Sequence, residues 1–184
     1  MAEQDKKDAT LKALEEYLGT PVASTGKLME LINFLSSIKG LPNLIFKQTP
    51  GEAGSYDFMR KLLTLNPSYN KDESTATHEF THALDMSMAY NSGLWGNKNP
   101  SLFSTSPTED QKKFAEAYAK MSPSSSKIPN QPIDPYRKRS DEMRAWGVSE
   151  QVKKGVNAAN PHIDPTMATE FDILMELYKR ANKQ

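Results

Sequence analysis

The chain of 184 residues contains no cysteine, which excludes disulfides, thiol nucleophiles and thiolate metal ligands. No apolar run approaches the ~20 residues of a membrane-spanning helix, and the first ten residues, MAEQDKKDAT, lack the apolar stretch of a secretory signal. Charge of one sign is not in excess, because 23 Lys and Arg balance 23 Asp and Glu. We therefore expect no membrane insertion and no nucleic-acid partner, since nucleic-acid affinity depends on surplus basic residues.

The hydrophobic pattern predicts one α+β domain, residues 1–184, that is mostly helical with a small sheet. Apolar residues at helical spacing, together with start and stop signals, predict the helices, and short apolar runs between turn residues predict the strands. The predicted helices are a first one ending at Gly19, one from near Ser24 to Gly40, one from Asp72 to about Ala89, one from about Pro107 to Lys120, Ser140–Lys154, and one that starts after Asp164-Pro165 and ends at about Ala181. The predicted strands are Asn43–Gln48 and Arg60–Leu65, with a turn over Thr49–Ser55 between them.

One predicted helix carries the sequence His78-Glu79-Phe80-Thr81-His82, which is an HExxH motif. Residues i and i+4 share one face of a helix, so both imidazoles can approach a single metal ion. Imidazole nitrogen suits Zn²⁺, and Glu79 beside the first ligand could take a proton from water and pass it to a leaving amine. The motif predicts a zinc site with a general base.

A catalytic zinc site uses three protein ligands, so one more must come from elsewhere. Glu142 is the best candidate, because it lies in the first turn of a predicted helix and Ala145, three residues on, would allow that helix to approach closely. Four further residues remain as alternatives: Glu116, Asp141, Glu150 and His162.

Three features near these ligands allow two interpretations each. Asp85 is expected either to hydrogen-bond a ligand histidine or to be an ordinary surface carboxylate. Tyr136 could donate a hydrogen bond to a developing oxyanion, or it could be a loop aromatic packed on the core. The basic run Arg137-Lys138-Arg139 is either solvated surface or a contact for an acidic substrate or partner.

The motif His78–Asp85, HEFTHALD, resembles the zinc helix of gluzincin metallopeptidases, and most nearly the anthrax lethal factor and Pro-Pro endopeptidase group with its HExxHxxD form. That group has a Tyr a few residues before a Glu-x-x-Ala, and Tyr136 and Glu142–Ala145 are similar in order, although Met143 and Arg144 stand where the group usually has aromatic residues. The resemblance implies a zincin-like fold, His78, His82 and Glu142 as zinc ligands, Glu79 as base and Tyr136 as the residue that stabilises the transition state.

The expected function is a zinc-dependent endopeptidase that hydrolyses peptide bonds of protein or peptide substrates. The alternative is a zinc-binding interaction module without catalysis, or a degenerate protease. The segment RKLLTL, residues 60–65, is the expected edge strand, with which an extended substrate could pair. We expect a cytoplasmic protein, or one exported by a non-classical route into a host cell as an effector or toxin. The oligomeric state stays open.

Overall fold

The computed structural model describes residues 2–69, 71–94, 107–120, 140–149 and 166–182. Within these ranges the chain forms six helices and three strands, so the predicted α+β class is confirmed. In chain order they are α1 Glu3–Leu18, α2 Lys27–Ser37, β1 Asn43–Phe46, β2 Gly54–Asp57, β3 Leu62–Leu65, α3 Glu73–Asn91, α4 Glu109–Lys120, α5 Ser140–Ser149 and α6 Thr166–Ala181. The zincin-like arrangement stays a prediction.

The chain divides into two compact units. The first comprises Met1–Leu84 and Val148–Val156, and the second comprises Asp85–Gly147 and Asn157–Gln184. The division falls within α3 and within α5, so each of these helices contributes residues to both units. The expectation of a single domain over residues 1–184 stays a prediction.

The first unit begins with two helices whose apolar stripes are buried as the periodicity predicts. Helix α1 ends at Gly19, which adopts the left-handed conformation with φ 70° and donates its backbone N–H to the carbonyl of Glu15. Helix α1 contacts both α2 and β1. The core residues of these two helices are completely or almost completely buried: Leu14, Tyr17, Leu28, Leu31, Ile32, Phe34 and Leu35.

The sheet has the strand order β1-β3-β2, with β1 parallel and β2 antiparallel to β3. The predicted edge strand, RKLLTL, is therefore wrong as an edge: its residues Leu62–Leu65 form the middle strand, and hydrogen bonds to both neighbours leave it no open edge. Leu63 and Leu65 alternate with more exposed residues, so one face of β3 is buried.

Strand β2 lies partly within the segment that was predicted as a turn. Gly54 and Ser55 have low strand propensity, but they pair with Leu65 and Thr64 of β3. The preceding loop is fixed by Asn66, whose Nδ2 donates to the carbonyls of Thr49 at 2.7 Å and Glu52 at 2.8 Å. These tertiary contacts override the local turn signal.

In the second unit, α4 packs against α6. The predicted face of α6 is buried, and Tyr178 meets Phe114 edge to face with ring centroids 5.4 Å apart. The Tyr178 hydroxyl accepts a hydrogen bond at 3.1 Å from Asn91 at the end of α3. Over the part of the chain that the structure describes, none of the helices combines the length and the apolar character that crossing a membrane requires.

Candidate metal centre

The HExxH motif lies on α3, whose start is fixed by Asp72. The Oδ1 atom of Asp72 accepts hydrogen bonds from the backbone N–H of Thr75 at 2.8 Å and from the hydroxyl of Ser74 at 2.7 Å. This is the arrangement of a helix N-cap, which satisfies donors that the first turn would otherwise leave open. The cap thereby sets the helical register of the motif.

Helix α3 is buried on all sides along the motif. Every residue from Ala76 to Asp85 is buried, including the polar side chains of the HExxH sequence. A helix that is buried all round is normally apolar all round. This one buries two imidazoles and two carboxylates within ten residues, and such groups are costly to remove from water unless they find partners.

The two histidines of the motif direct one ring nitrogen each to the same place. The Nε2 atoms of His78 and His82 are 3.1 Å apart, and the rings stand nearly perpendicular with centroids separated by 4.7 Å. Both side chains are buried, with 8% and 7% of their surface exposed. The predicted one-face arrangement of the pair is therefore present, and either a shared proton or a metal ion is compatible with this separation.

Glu142 joins these histidines in a group that could hold a metal ion. Each of the three residues offers one ligand atom, and the three atoms all lie within 4.8 Å of one another. Glu142 is 3% exposed and lies on α5, as predicted, with the fully buried Ala145 three residues on. Metal identity does not follow from this geometry.

Glu79 lies against the sheet, at the beginning of β2. A Cβ atom added to Gly54 would stand 2.8 Å from Cγ and 3.0 Å from Oε1 of Glu79. Glu79 is itself buried. The second residue of the motif is therefore held in a position where the neighbouring strand has no side chain.

Neither interpretation of Asp85 from the sequence is correct. Asp85 is 2% exposed, so it is not a surface carboxylate, and its Oδ2 accepts hydrogen bonds from Nε of Arg144 at 2.8 Å and Nη2 at 2.5 Å rather than from a histidine. Its Oδ1 atom is buried and has no hydrogen-bond partner among the described residues. The physical reason is that α5 carries the guanidinium of Arg144. Its charge-assisted hydrogen bonds to a carboxylate are stronger than the hydrogen bond that a neutral imidazole could donate.

Arg144 is the residue that sequence reasoning missed. Only 3% of Arg144 is exposed, and its guanidinium carbon stands 5.3 Å from the centroid of the Tyr118 ring. The available signal was an arginine next to Ala145 and Trp146 in a helix with an apolar face, because an arginine in such a run needs a buried acidic partner. Asp85 is that partner.

Of the four alternative third ligands, only Glu116 has its side chain among the described residues. Glu116 is exposed on α4 and does not belong to the group that could hold a metal ion, which argues against it as the third ligand. Glu150 and His162 lie outside the described residues, and so does the side chain of Asp141. Tyr136 and the basic run Arg137–Arg139 also lie outside them.

Comparison with known proteins adds no relative to this picture: no protein family, no curated protein and no solved structure matches the chain.

Proposed function

We propose that this protein is a zinc-dependent endopeptidase that hydrolyses peptide bonds of protein substrates. The observation that carries the proposal is the buried group of His78, His82 and Glu142, together with the buried Glu79, which lies beside His78 on the motif helix. Two imidazoles and one carboxylate are the donor set of His₂Glu zinc peptidases.

The nitrogen pair fits a zinc ion. Zinc binds imidazole nitrogen at about 2.0–2.1 Å, and a tetrahedral centre then separates two such nitrogens by about 3.3 Å. The Nε2 atoms of His78 and His82 are 3.1 Å apart, which is close to that value. The ion would thus be accommodated by small side-chain adjustments.

The charge of the buried residues also favours a divalent cation. Among the described residues, the buried acidic side chains are Glu79, Asp85 and Glu142, and the buried basic side chain with a permanent charge is Arg144. With neutral histidines and ionised carboxylates, these four groups carry a net charge of −2. Net negative charge in a buried set favours a bound cation, and a dication carries the opposite charge of the same size.

Each side chain then has a defined task. His78, His82 and Glu142 hold the ion, and zinc, when bound, supplies Lewis-acid polarisation of water and of the scissile carbonyl. The Glu79 carboxylate accepts a proton from the attacking water and delivers it to the leaving amine nitrogen. Tyr136 remains the proposed hydrogen-bond donor to the oxyanion.

The substrate would pair with β2 rather than with the segment expected from the sequence. Among the described strands, β2 lies at one end of the sheet, so one of its edges is open for an added strand. Gly54 on this strand is the residue that adjoins Glu79. An extended peptide on this edge would therefore run close to the base.

One observation favours a second candidate function, a zinc site without catalysis. All three ligand side chains are buried, and structural zinc sites are closed, whereas catalytic sites keep one position open. Such a protein would bind zinc tightly and use the centre to stabilise its fold or to bind a partner. The presence of Glu79 supports the catalytic alternative, because a structural site needs no general base.

The test uses the full chain, loaded with Zn²⁺ and incubated with a peptide library derived from a whole proteome. We expect hydrolysis by the wild type, a loss of at least about 10²-fold in Glu79→Gln with zinc retained, and wild-type rates in Glu73→Gln. Glu73 is a matched control, because the same substitution falls in the first turn of the same helix.

The outcomes separate the candidates. Stoichiometric zinc with no cleavage by the wild type supports the non-catalytic site. Cleavage that survives in Glu79→Gln overturns the assignment of the base. Failure of the wild type to bind zinc, with His78→Ala behaving like the wild type in metal titrations, overturns both candidates.

A further inference from the structure

We infer that Gly54 is a positioning residue for Glu79. Because Gly54 has no side chain, β2 leaves the space that the side chain of the general base occupies. The inference rests on the proposed function for its catalytic consequence. Its structural basis is the contact between Gly54 and Glu79, which lie in the same compact unit.

The backbone of β2 does not itself require glycine at this position. The glycines with positive φ among the described residues are Gly19, Gly51 and Gly93, so Gly54 has a conformation that other residues adopt. Glycine in a strand costs about 0.5–1 kcal/mol relative to alanine, because the flexible unfolded chain loses more entropy. A glycine in regular strand conformation often marks the close approach of another group.

The group that approaches Gly54 is the side chain of Glu79. Gly54 pairs with Leu65, which is fully buried, and paired residues of antiparallel strands project to the same face. A Cβ atom at position 54 would therefore point to the buried face, where it would stand 2.8 Å from Cγ of Glu79, about 0.6 Å inside ordinary contact at 3.4 Å. Either the strand or the base would have to move.

The strand cannot move easily, because Asn66 anchors the loop that leads into it. Besides its two donated bonds to the loop carbonyls, Asn66 donates its backbone N–H to the carbonyl of Ala53, at 2.9 Å. Asn66 is 3% exposed, so these bonds are shielded from water. Substitution at Gly54 should consequently displace Glu79 rather than β2.

The first experiment measures catalysis by Gly54→Ala with zinc bound. A misplacement of about 1 Å can cost 10²-fold in rate, so we expect kcat to fall roughly 10–100-fold, while KM and the zinc dissociation constant change less than about twofold. The control is Ser24→Ala, at an exposed position between α1 and α2 and outside the strand proposed to pair with substrate, which should retain the wild-type kcat. An unchanged kcat in Gly54→Ala would overturn the inference.

The second experiment tests the contact without using activity. Urea unfolding midpoints are compared for the wild type, Gly54→Ala, Glu79→Ala and the double variant, all free of metal. We expect Gly54→Ala to lower the midpoint in the wild type and to raise it in the Glu79→Ala background, where no Cγ obstructs the added methyl group and the loss of glycine stabilises the chain. The same shift in both backgrounds would refute the contact.

These readouts keep the two proposals apart. A wild type that binds zinc but cleaves nothing refutes the endopeptidase, and the unfolding midpoints still decide whether Gly54 makes room for Glu79. An active wild type with additive midpoint shifts refutes the role of Gly54 and leaves the endopeptidase intact.

Discussion

Replacement of Arg144 by methionine should be among the most destabilising single substitutions in this protein. Arg144 and Asp85 are 3% and 2% exposed and form an ion pair with two hydrogen bonds to one carboxylate oxygen. Methionine matches much of the arginine volume and leaves the carboxylate buried without its cation. The loss of stability in this variant therefore measures the effect of removing the positive charge, with little change in packing.

The magnitude follows from the burial of the pair. Removing one partner of a buried ion pair costs about 3–5 kcal/mol, because the remaining charge stays uncompensated in a medium of low polarity. The contact of the guanidinium with the Tyr118 ring adds about 0.5–2 kcal/mol. Against a typical total stability of 5–15 kcal/mol, the variant would lose a large part of its folding free energy.

Urea unfolding of the metal-free protein measures this loss, and two further variants control it. Arg60→Met makes the same substitution at an exposed pair, since Arg60 and Asp57 have 79% and 42% of their side chains exposed and stand 3.6 Å apart. We expect it to cost less than about 1 kcal/mol. The double variant Asp85→Leu, Arg144→Met should be more stable than Arg144→Met, because apolar replacements of a buried pair are often neutral or stabilising.

Equal costs at the two arginines would refute the predicted effect of burial. It would also be refuted if Asp85→Leu failed to restore stability in the Arg144→Met background, since the penalty would then not arise from the carboxylate left without its cation.

A second consequence concerns the metal. Glu142 lies two residues before Arg144 on α5, so Arg144→Met should also weaken zinc binding, as measured by competition with a chelator.

Three further predictions concern the fold and the metal. Asn66→Ala should lower the free energy of unfolding by about 2–3 kcal/mol, because two donated side-chain bonds are lost from a buried site, and a thermal melt measures it. Burial raises the pKa of Tyr178 and of Tyr17 above the ordinary value of 10.0, so the folded state holds these protons more tightly than the unfolded state. The free energy of unfolding should therefore fall as the pH rises through 10.0. In urea titrations at several pH values, Tyr178→Phe should make that fall shallower. Zinc at about 100 times its dissociation constant should stabilise the wild type by about 2.7 kcal/mol, and a chelator should reverse this, whereas His82→Ala should show no such gain.

The helices of this protein are local features, and the sequence predicts them well. The stripe of α6, with Phe171, Leu174, Met175 and Tyr178, is buried as its period indicates, and α1 ends at Gly19 as predicted. Strand β2 was missed, because Gly54 and Ser55 carry a turn signal and become a strand only through pairing with β3. Strand order likewise depends on non-local pairing, so no local pattern decides which strand is central.

The grouping of the candidate ligands could be predicted for a different reason. His78 and His82 are related by one helical turn, so their common face follows from backbone geometry alone. Glu142 was inferred from its place in a second helix and from the family resemblance, and its proximity to the histidines is a tertiary fact that the sequence could only suggest. The Asp85–Arg144 pair joins residues 59 positions apart, and no local pattern specifies such a partner.

The burial of α3 is the feature of this fold that local sequence rules explain least. Between Ala76 and Ser87 this helix buries seven polar side chains, and an apolar sequence would have packed there with a lower desolvation cost. Thr81 offsets part of that cost by donating its hydroxyl hydrogen to the carbonyl of Thr77, and Asp85 is paired with Arg144 of α5. The proposed metal site would give the histidine pair and Glu142 a common reason to be buried together. If His78, Glu79 and His82 were replaced together by apolar residues of similar volume, we would expect a metal-free protein that is more stable than metal-free wild type and inactive; a destabilised triple variant would show instead that these residues serve the fold.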